Sequence, residues 1–173
     1  GINHVRLGVM WEAVETAPGV YNQTYLDQVE RLVNKMGDAG ITTLLDAHQD
    51  LLARQVCGEG MPIFYAQEVI DDGLECISKR ADFFLKPILN AFGVCVSIED
   101  YGYRKDENGL PLIEDCQQKY FASYYGTVES ISLSRALYFN HLGLRDRFSD
   151  YWKVVSQRFY ANPHVVGIDP INE

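Results

Sequence analysis

The chain ends in Asn172 and Glu173, whose side chains suit acid-base and hydrogen-bonding chemistry. The pair follows the apolar run at 165–168, which predicts a β-strand. A carboxylic acid can protonate a leaving oxygen and later take the proton back, and an amide beside it can hydrogen-bond a substrate hydroxyl. The pair therefore indicates a general acid/base at the carboxyl end of a strand. The simpler alternative is a solvated terminal glutamate.

Asp46, His48 and Asp50 form a second polar cluster, again at the end of an apolar run. Alternate residues of a strand face the same side, so the imidazole should lie between two carboxylates. His and Asp can bind zinc, but the sequence offers no second strong cluster of ligands, so we predict no metal site. The same groups could hydrogen-bond sugar hydroxyls. In a purely structural alternative, Asp46 pairs with a neighbouring strand and His48 is a core residue.

Arg6 lies inside an otherwise apolar segment. Burying a guanidinium group is costly unless it meets a carboxylate or a carbonyl oxygen. We therefore expect Arg6 to find acidic partners on other strands, in an interior that the strands share.

The elements that must position these residues alternate between strand and helix. Segments 2–10 and 41–48 are rich in branched apolar residues and predict strands. Apolar positions recur at three- and four-residue steps over 25–38 and 148–159, which predicts helices. The stretch at about 51–144 is too long for a plain connection between strands. We interpret it as an insertion that decorates the binding face of the fold.

The order strand, helix, strand, insertion, helix, strand predicts an α/β fold with parallel strands and a right-handed crossover. Both a (β/α)8 TIM barrel and an open doubly wound sheet fit this order, but the Gly-rich turn typical of nucleotide-binding sheets is absent after the first strand. We favour the barrel, where polar groups from several strands meet at the carboxyl face. Residues 1–173 would then form an incomplete barrel of about three of the eight strands. The residues expected at that face are Arg6, His48, Asp50, Asn172 and Glu173.

Composition excludes several classes of protein. A net charge of −9 and a pI near 4.9 disfavour nucleic-acid binding, which needs a concentrated basic face. A hydrophobic content of 47% is ample for a folded core. No apolar run approaches the roughly 20 residues of a membrane-spanning helix. The chain begins at Gly1 with neither an initiator Met nor a signal peptide, so we expect the true amino terminus to lie upstream.

The four cysteines lie in the middle of the chain without the spacing of a zinc site. Disulfides are the favoured interpretation, with three connectivities open and free buried thiols as the alternative. The Asn22-Gln23-Thr24 sequence is a glycosylation sequon if the chain is exported. Asn22 or Thr24 could equally cap the following helix.

Several segments together carry a family resemblance. The most discriminating are His-Gln-Asp at 48–50 and Gly-Glu-Gly-x-Pro at 58–62, and the Asn-Glu pair adds to them. Further matching segments are 5–15, 18–22, 45–47, 115–117 and 151–152. The chain resembles glycoside hydrolase family 5, and within it the endoglycoceramidases.

This resemblance implies a retaining glycosidase whose second, third and fourth barrel strands are the ones found here. It implies that Glu173 is the general acid/base and that Asn172 contacts the sugar 2-hydroxyl. Arg6 would orient the nucleophilic glutamate, and His48 and Asp50 would line the sugar subsite. The family's nucleophile lies on the seventh strand, beyond this chain, so we expect the 173-residue fragment alone to be inactive.

The resemblance also implies the substrate, a glycosphingolipid cleaved between its glucose-headed oligosaccharide and ceramide. Aromatic residues of the insertion could form a groove for ceramide chains or approach a membrane surface, although we expect most of them to pack the insertion against the barrel. Two rivals stay open. One is another family 5 enzyme, such as a glucosylceramide or steryl glucoside hydrolase or a β-glucanase, and the other is a non-catalytic glycan-binding relative. We expect no cofactor, a secreted or lysosomal/endomembrane location, and solvated roles for Glu12, Glu15 and Glu59. The oligomeric state is left open.

Overall fold

The computed structural model describes residues 1–74, 76, 85, 87–89, 91–92 and 95–171. The strands are β1 (His4–Gly8), β2 (Glu15–Ala17), β3 (Val20–Tyr21), β4 (Thr42–Asp46) and β5 (Val165–Asp169). The helices are α1 (Trp11–Val14), α2 (Gln23–Asp38), α3 (Ile63–Asp72), α4 (Ile113–Cys116), α5 (Val128–Tyr138) and α6 (Leu144–Phe159). Short 3-10 helices lie at Arg54–Val56, Ile98–Tyr101, Phe121–Gly126 and His141–Gly143.

The chain divides into two compact units. The first comprises residues 1–50, 60–62 and 146–173, and the second comprises residues 51–59 and 63–145. The insertion predicted at about 51–144 covers most of the second unit. Within the described part of the chain, no helix is long and apolar enough to cross a membrane.

The first unit is built on a parallel sheet with the strand order β1-β4-β5. This confirms the α/β class and the parallel pairing of the predicted strand-helix-strand unit. The antiparallel β2-β3 hairpin was not predicted, because the segment around Pro18 and Gly19 has the composition of a loop. Gly19 has a φ of +73°, a conformation that favours glycine at the tip of such a turn.

Helix α2 begins at a side-chain cap. The Asn22 carboxamide oxygen accepts a hydrogen bond from the Tyr25 backbone N–H at 3.0 Å, which satisfies one of the free donors of the first turn. The helix buries Leu26, Val29 and Val33, which share one face at helical spacing. The capping role that the sequence left open for Asn22 is therefore confirmed.

Helix α6 buries three of the four residues of the predicted apolar stripe. Trp152, Val155 and Phe159 are less than 9% exposed, whereas Phe148 is half-buried; Tyr151, outside the stripe, is fully buried. Arg158, on the same helix, forms ion pairs with Asp27 and with Glu30 of α2. Aromatic packing and these ion pairs together fix α6 against the rest of the first unit.

The second unit contains two disulfides, Cys57–Cys116 and Cys76–Cys95. All four cysteines are therefore paired, as favoured from the sequence. The unit also buries Asp115, whose carboxylate accepts hydrogen bonds from the Arg104 backbone N–H at 2.8 Å and from its guanidinium at 2.6 Å. The Arg104 guanidinium and then its backbone N–H lower the pKa of Asp115.

The tyrosines of the second unit differ in exposure. Tyr124 is 1% exposed and donates to the Cys116 carbonyl oxygen at 2.7 Å. Burial raises its pKa, and the hydrogen bond with Tyr103 raises it further. Tyr120 and Tyr125, in contrast, are largely exposed. The tyrosine-rich segment therefore contributes both core and surface.

Candidate active site at the carboxyl edge of the sheet

The last residues of the three strands of the parallel sheet are in register with one another. Gly8 pairs in register with Asp46, and Asp46 pairs with Asp169. Arg6 lies two residues before Gly8, so strand alternation places it on the same face of the sheet as both aspartates. Two acids and one cation from three different strands thus meet at the carboxyl edge.

Arg6 contacts two acidic residues on other strands, as predicted from the sequence. Its Nε lies 3.2 Å from Asp46 Oδ2, and its Nη1 lies 3.5 Å from Asp169 Oδ2. The Asp46 side chain is only 2% exposed, whereas the Arg6 side chain is 44% exposed. The guanidinium therefore links a buried carboxylate to a more open one.

His48 lies between two carboxylates, as predicted. Its Nδ1 is 3.1 Å from Asp46 Oδ2, and its Nε2 is 3.5 Å from Asp50 Oδ2. Strand β4 ends at Asp46, however, so His48 and Asp50 lie in the loop that follows and not on a strand. The imidazole is held by its carboxylate contacts.

Asp46 is the centre of this network. One oxygen, Oδ2, meets both the Arg6 guanidinium and the His48 imidazole. The other oxygen, Oδ1, is buried and makes no hydrogen bond within the described part of the chain. A buried carboxylate needs compensating partners, so Asp46 depends on the contacts that Oδ2 makes.

Backbone hydrogen bonds continue the sheet beneath these side chains. The Val9 N–H donates to the Asp46 carbonyl at 2.8 Å, and the Ala47 N–H donates to the Asp169 carbonyl at 3.1 Å. The Val9 carbonyl in turn accepts a hydrogen bond from the Tyr151 hydroxyl. Burial, followed by the charges of neighbouring groups, raises the pKa of Tyr151, so this hydroxyl stays a donor.

Gly60 supports the loop that carries His48. A Cβ at this position would lie 2.6 Å from Gln49 Cβ and 2.9 Å from the His48 carbonyl oxygen, and the φ of +118° also favours glycine. The Gly60 N–H donates to Glu12 Oε1 at 3.1 Å, and its carbonyl accepts from the Glu12 N–H at 2.9 Å. Close packing thus explains the second glycine of the Gly-Glu-Gly-x-Pro motif.

The expectation that Glu15 is solvated is wrong. Glu15 is only 2% exposed. Its carboxylate accepts hydrogen bonds from Trp11 Nε1 at 2.7 Å and from the Gly19 N–H at 2.8 Å. A carboxylate with two such donors can remain buried. Glu15 therefore joins α1 to the β2-β3 hairpin. Glu59 is exposed, as expected.

The arrangement suits hydrogen bonding to a polar ligand. Carboxylate oxygens and an imidazole that are held by mutual contacts can bind hydroxyl groups in a fixed orientation.

The predicted site residues divide into two groups. Arg6, His48 and Asp50 are brought together through Asp46, whereas Asn172 and Glu173 lie outside the described residues. Sequence reasoning missed Asp169 as a partner of Arg6. The signal was present, because an acidic residue directly before Pro170 at the end of an apolar strand fits the same rule that selected Asp46.

Comparison with known proteins identifies the family. The sequence model described as "Cellulase (glycosyl hydrolase family 5)" matches residues 1–173. The chain belongs to this family. This assignment agrees with the resemblance that the sequence motifs carry.

Individual relatives agree with this assignment. The endoglycoceramidase of Cyanea nozakii is 31% identical over 173 residues, which are 100% of this chain and 30% of that protein. A glucosylceramidase of Rhizopus delemar is 38% identical over 63 residues, 36% of this chain and 9% of that protein. The family 5 chain thus spans about 30% of the curated endoglycoceramidase that it matches along its whole length.

A solved structure has the same fold. Endo-glycoceramidase II from Rhodococcus sp., in complex with a five-membered iminocyclitol, superposes with a TM-score of 0.64 at 26% identity. The match covers 99% of this chain and 31% of that one.

Proposed function

We propose that this family 5 chain is part of a retaining glycoside hydrolase that cleaves the β-glycosidic bond between oligosaccharide and ceramide in glycosphingolipids. The observation that carries the proposal is the meeting of Arg6, Asp46, His48 and Asp169 at the carboxyl edge of a parallel sheet. In a (β/α)8 barrel this edge is the catalytic face. The three strands would be the second, third and fourth of such a barrel.

Glu173 would be the general acid/base. It follows Asp169 by four residues along the chain. Retaining hydrolysis needs an acid that protonates the leaving oxygen and a second carboxylate about 5 Å away that attacks the sugar carbon. We place that nucleophile outside these 173 residues. The two carboxyl groups carry the whole reaction, so it needs no cofactor.

The remaining site residues would bind the sugar and orient the nucleophile. Arg6 contacts Asp46 and Asp169 at the carboxyl edge of the sheet, and a guanidinium at this edge is the group that would orient a nucleophilic carboxylate. His48 and Asp50 would hydrogen-bond sugar hydroxyls from the loop after β4. Asn172 would contact the 2-hydroxyl, an interaction that strengthens in the transition state.

The substrate assignment draws on the full-length match to a protein named as an endoglycoceramidase. The test is to incubate the full-length protein with a glycosphingolipid that carries two or more sugars, and to analyse both products. We expect an intact oligosaccharide and ceramide. Release of single sugars one at a time would contradict the proposal, as would turnover that Glu173→Gln leaves unchanged.

A second candidate is a β-glucosidase acting on glucosylceramide or a steryl glucoside. The 38% identity with a glucosylceramidase over 63 residues favours it. Such an enzyme would release free glucose from a monoglucosyl lipid and would leave a longer glycan untouched. A non-catalytic glycan-binding relative would bind both lipids and release neither product.

We also propose that the protein works at a membrane surface in an oxidising compartment, outside the cell or in the lysosomal/endomembrane lumen. Two disulfides support the compartment. Exposed aromatic side chains of the second unit support the surface, because such residues favour lipid-water boundaries. Among the described residues of this unit, the most exposed aromatic side chains are Tyr120 at 81% and Phe92 and Phe139 at 80%.

A further inference from the structure

Trp152 makes a hydrogen bond to the chain just beyond the last strand. Its indole Nε1–H donates to the Pro170 carbonyl oxygen at 2.9 Å. Pro170 directly follows Asp169, the final residue of β5, and precedes Glu173 by three residues. The contact therefore lies on the short path from the sheet to the proposed acid/base.

The backbone at this point has little other support from the sheet. The Ala47 N–H binds the Asp169 carbonyl, and that bond ends the described pairing between β4 and β5. Pro170 has no N–H, so its carbonyl is the hydrogen-bonding group that its backbone offers. Trp152 thus extends the anchoring of β5 by one residue.

Trp152 is itself firmly held. It is 8% exposed, and its ring centroid lies 5.1 Å from that of Tyr151. Tyr151 is fully buried and donates to the Val9 carbonyl, next to the end of β1. The Trp152 N–H that donates to Pro170 therefore belongs to a packed helix. The preceding residue of that helix, Tyr151, is hydrogen-bonded to the end of β1 in the same sheet.

We infer that Trp152 is a positioning residue for the general acid, acting through the Pro170 carbonyl and not on the substrate. This inference rests on the proposed function, in which Glu173 protonates the leaving oxygen. Proton transfer requires the acid within hydrogen-bonding distance of that oxygen, and a misplacement of about 1 Å can lower a rate by roughly 100-fold. An anchor three residues before the acid limits such displacement.

Leaving-group dependence gives the test. In the full-length protein, Trp152 is replaced by 3-benzothienylalanine, which keeps the ring size but has sulfur where the indole has N–H. The kcat/KM is measured for two aryl β-lactosides, one with a phenol leaving group and one with 2,4-dinitrophenol. Only the poor leaving group needs acid assistance, so we expect about a tenfold loss for phenol and less than about twofold for dinitrophenol.

Two controls separate the explanations. Replacing Trp11 in the same way also removes an indole hydrogen bond, to Glu15 Oε2 at 2.7 Å, but not one on β5. Any loss there should be equal for both substrates. Glu173→Gln should show a larger selective loss on phenyl lactoside than the Trp152 variant. Trp152→Phe repeats the comparison with an encoded residue if the first variant fails to fold.

The outcomes are distinct. Equal losses on both substrates for the Trp152 variants, with a selective loss for Glu173→Gln, would overturn this inference alone and leave Trp152 a packing residue. A Glu173→Gln variant without leaving-group selectivity would overturn the acid/base assignment and this inference with it.

Discussion

Asp46 concentrates the electrostatics of the site in one carboxylate. It is buried, and its Oδ2 serves both Arg6 and His48. An Asp46→Asn substitution removes the charge at nearly constant size. Because hydrogen bonds to charged groups contribute about 1.5–3 kcal/mol, we expect the free energy of unfolding to fall by a similar amount. We also expect a lower kcat/KM, since both partners lose their shared anchor.

Asp50→Asn is the matched control for stability. Asp50 also faces His48, at 3.5 Å, but its side chain is 35% exposed and remains solvated. We expect a change in unfolding free energy within about 0.5 kcal/mol. Urea denaturation of the full-length protein measures both variants. Equal destabilisation by the two substitutions would contradict the central role given to Asp46.

Asp115 makes a pH-dependent contribution to stability. Hydrogen bonds from the Arg104 guanidinium lower its pKa in the folded state. A lowered folded-state pKa means that the stabilisation is complete above the unfolded value of about 3.9 and is lost as the pH falls through the folded value. The stability difference between wild type and Asp115→Asn should therefore be constant from about pH 7 to 5 and shrink below about pH 4.

Denaturant midpoints over this pH range provide the measurement. Glu114→Gln is the control, because Glu114 is the exposed neighbour of Asp115 on the same helix, α4. Its difference from wild type should stay small throughout. A stability difference for Asp115→Asn that is as large at pH 3 as at pH 7 would show that the charge of Asp115 is not the cause.

At the scale of elements, the two disulfides close loops of different length. Cys57–Cys116 has a sequence separation of 59, and Cys76–Cys95 has one of 19. Loop-closure entropy predicts stabilisation of about 4 kcal/mol for the first and about 3 kcal/mol for the second. Urea unfolding of the two double Ser variants should therefore give the larger loss for Cys57 and Cys116. The reverse order would indicate that native packing, and not chain entropy, dominates.

The main helices and strands could be predicted because the apolar residues of each recur with one clear period. The predicted helix 25–38 became Gln23–Asp38, and the predicted strand 41–48 became Thr42–Asp46. The strand was predicted too long because Ala47 and His48 continue its composition, whereas the paired row ends at Asp46. Boundaries depend on pairing between distant strands, which local composition does not contain.

The partners of individual polar residues were harder to predict. Arg6 was expected to need a carboxylate because it lies in an apolar segment. Its side chain is in fact 44% exposed, and the choice of Asp46 and Asp169 as its partners depends on strand register. The burial of Glu15 depends on donors from Trp11 and Gly19, which meet only when the β2-β3 hairpin forms. The residue types therefore indicated that these side chains need charged or hydrogen-bonding partners, and the tertiary structure determined which partners they have.

At the scale of the whole molecule, β5 leaves apolar surface uncovered. Val166 and Ile168 alternate with the inward residues of the strand and are 57% and 47% exposed. Each outer strand of the described sheet, β1 and β5, pairs on one side with β4. Open edges and exposed apolar residues on strands favour pairing with other chains.

This surface leads to a prediction for the 173-residue chain expressed by itself. We expect it to self-associate, because the edge of β5 and its exposed valine and isoleucine side chains offer a template for further strands. We also expect no turnover of glycosphingolipid, since the proposed nucleophile is not among its residues. Light scattering and product analysis test the two expectations, with the full-length protein as the control. A monodisperse, cooperatively unfolding, active 173-residue chain would contradict both, because it would need a closed core and a second catalytic carboxylate within this sequence.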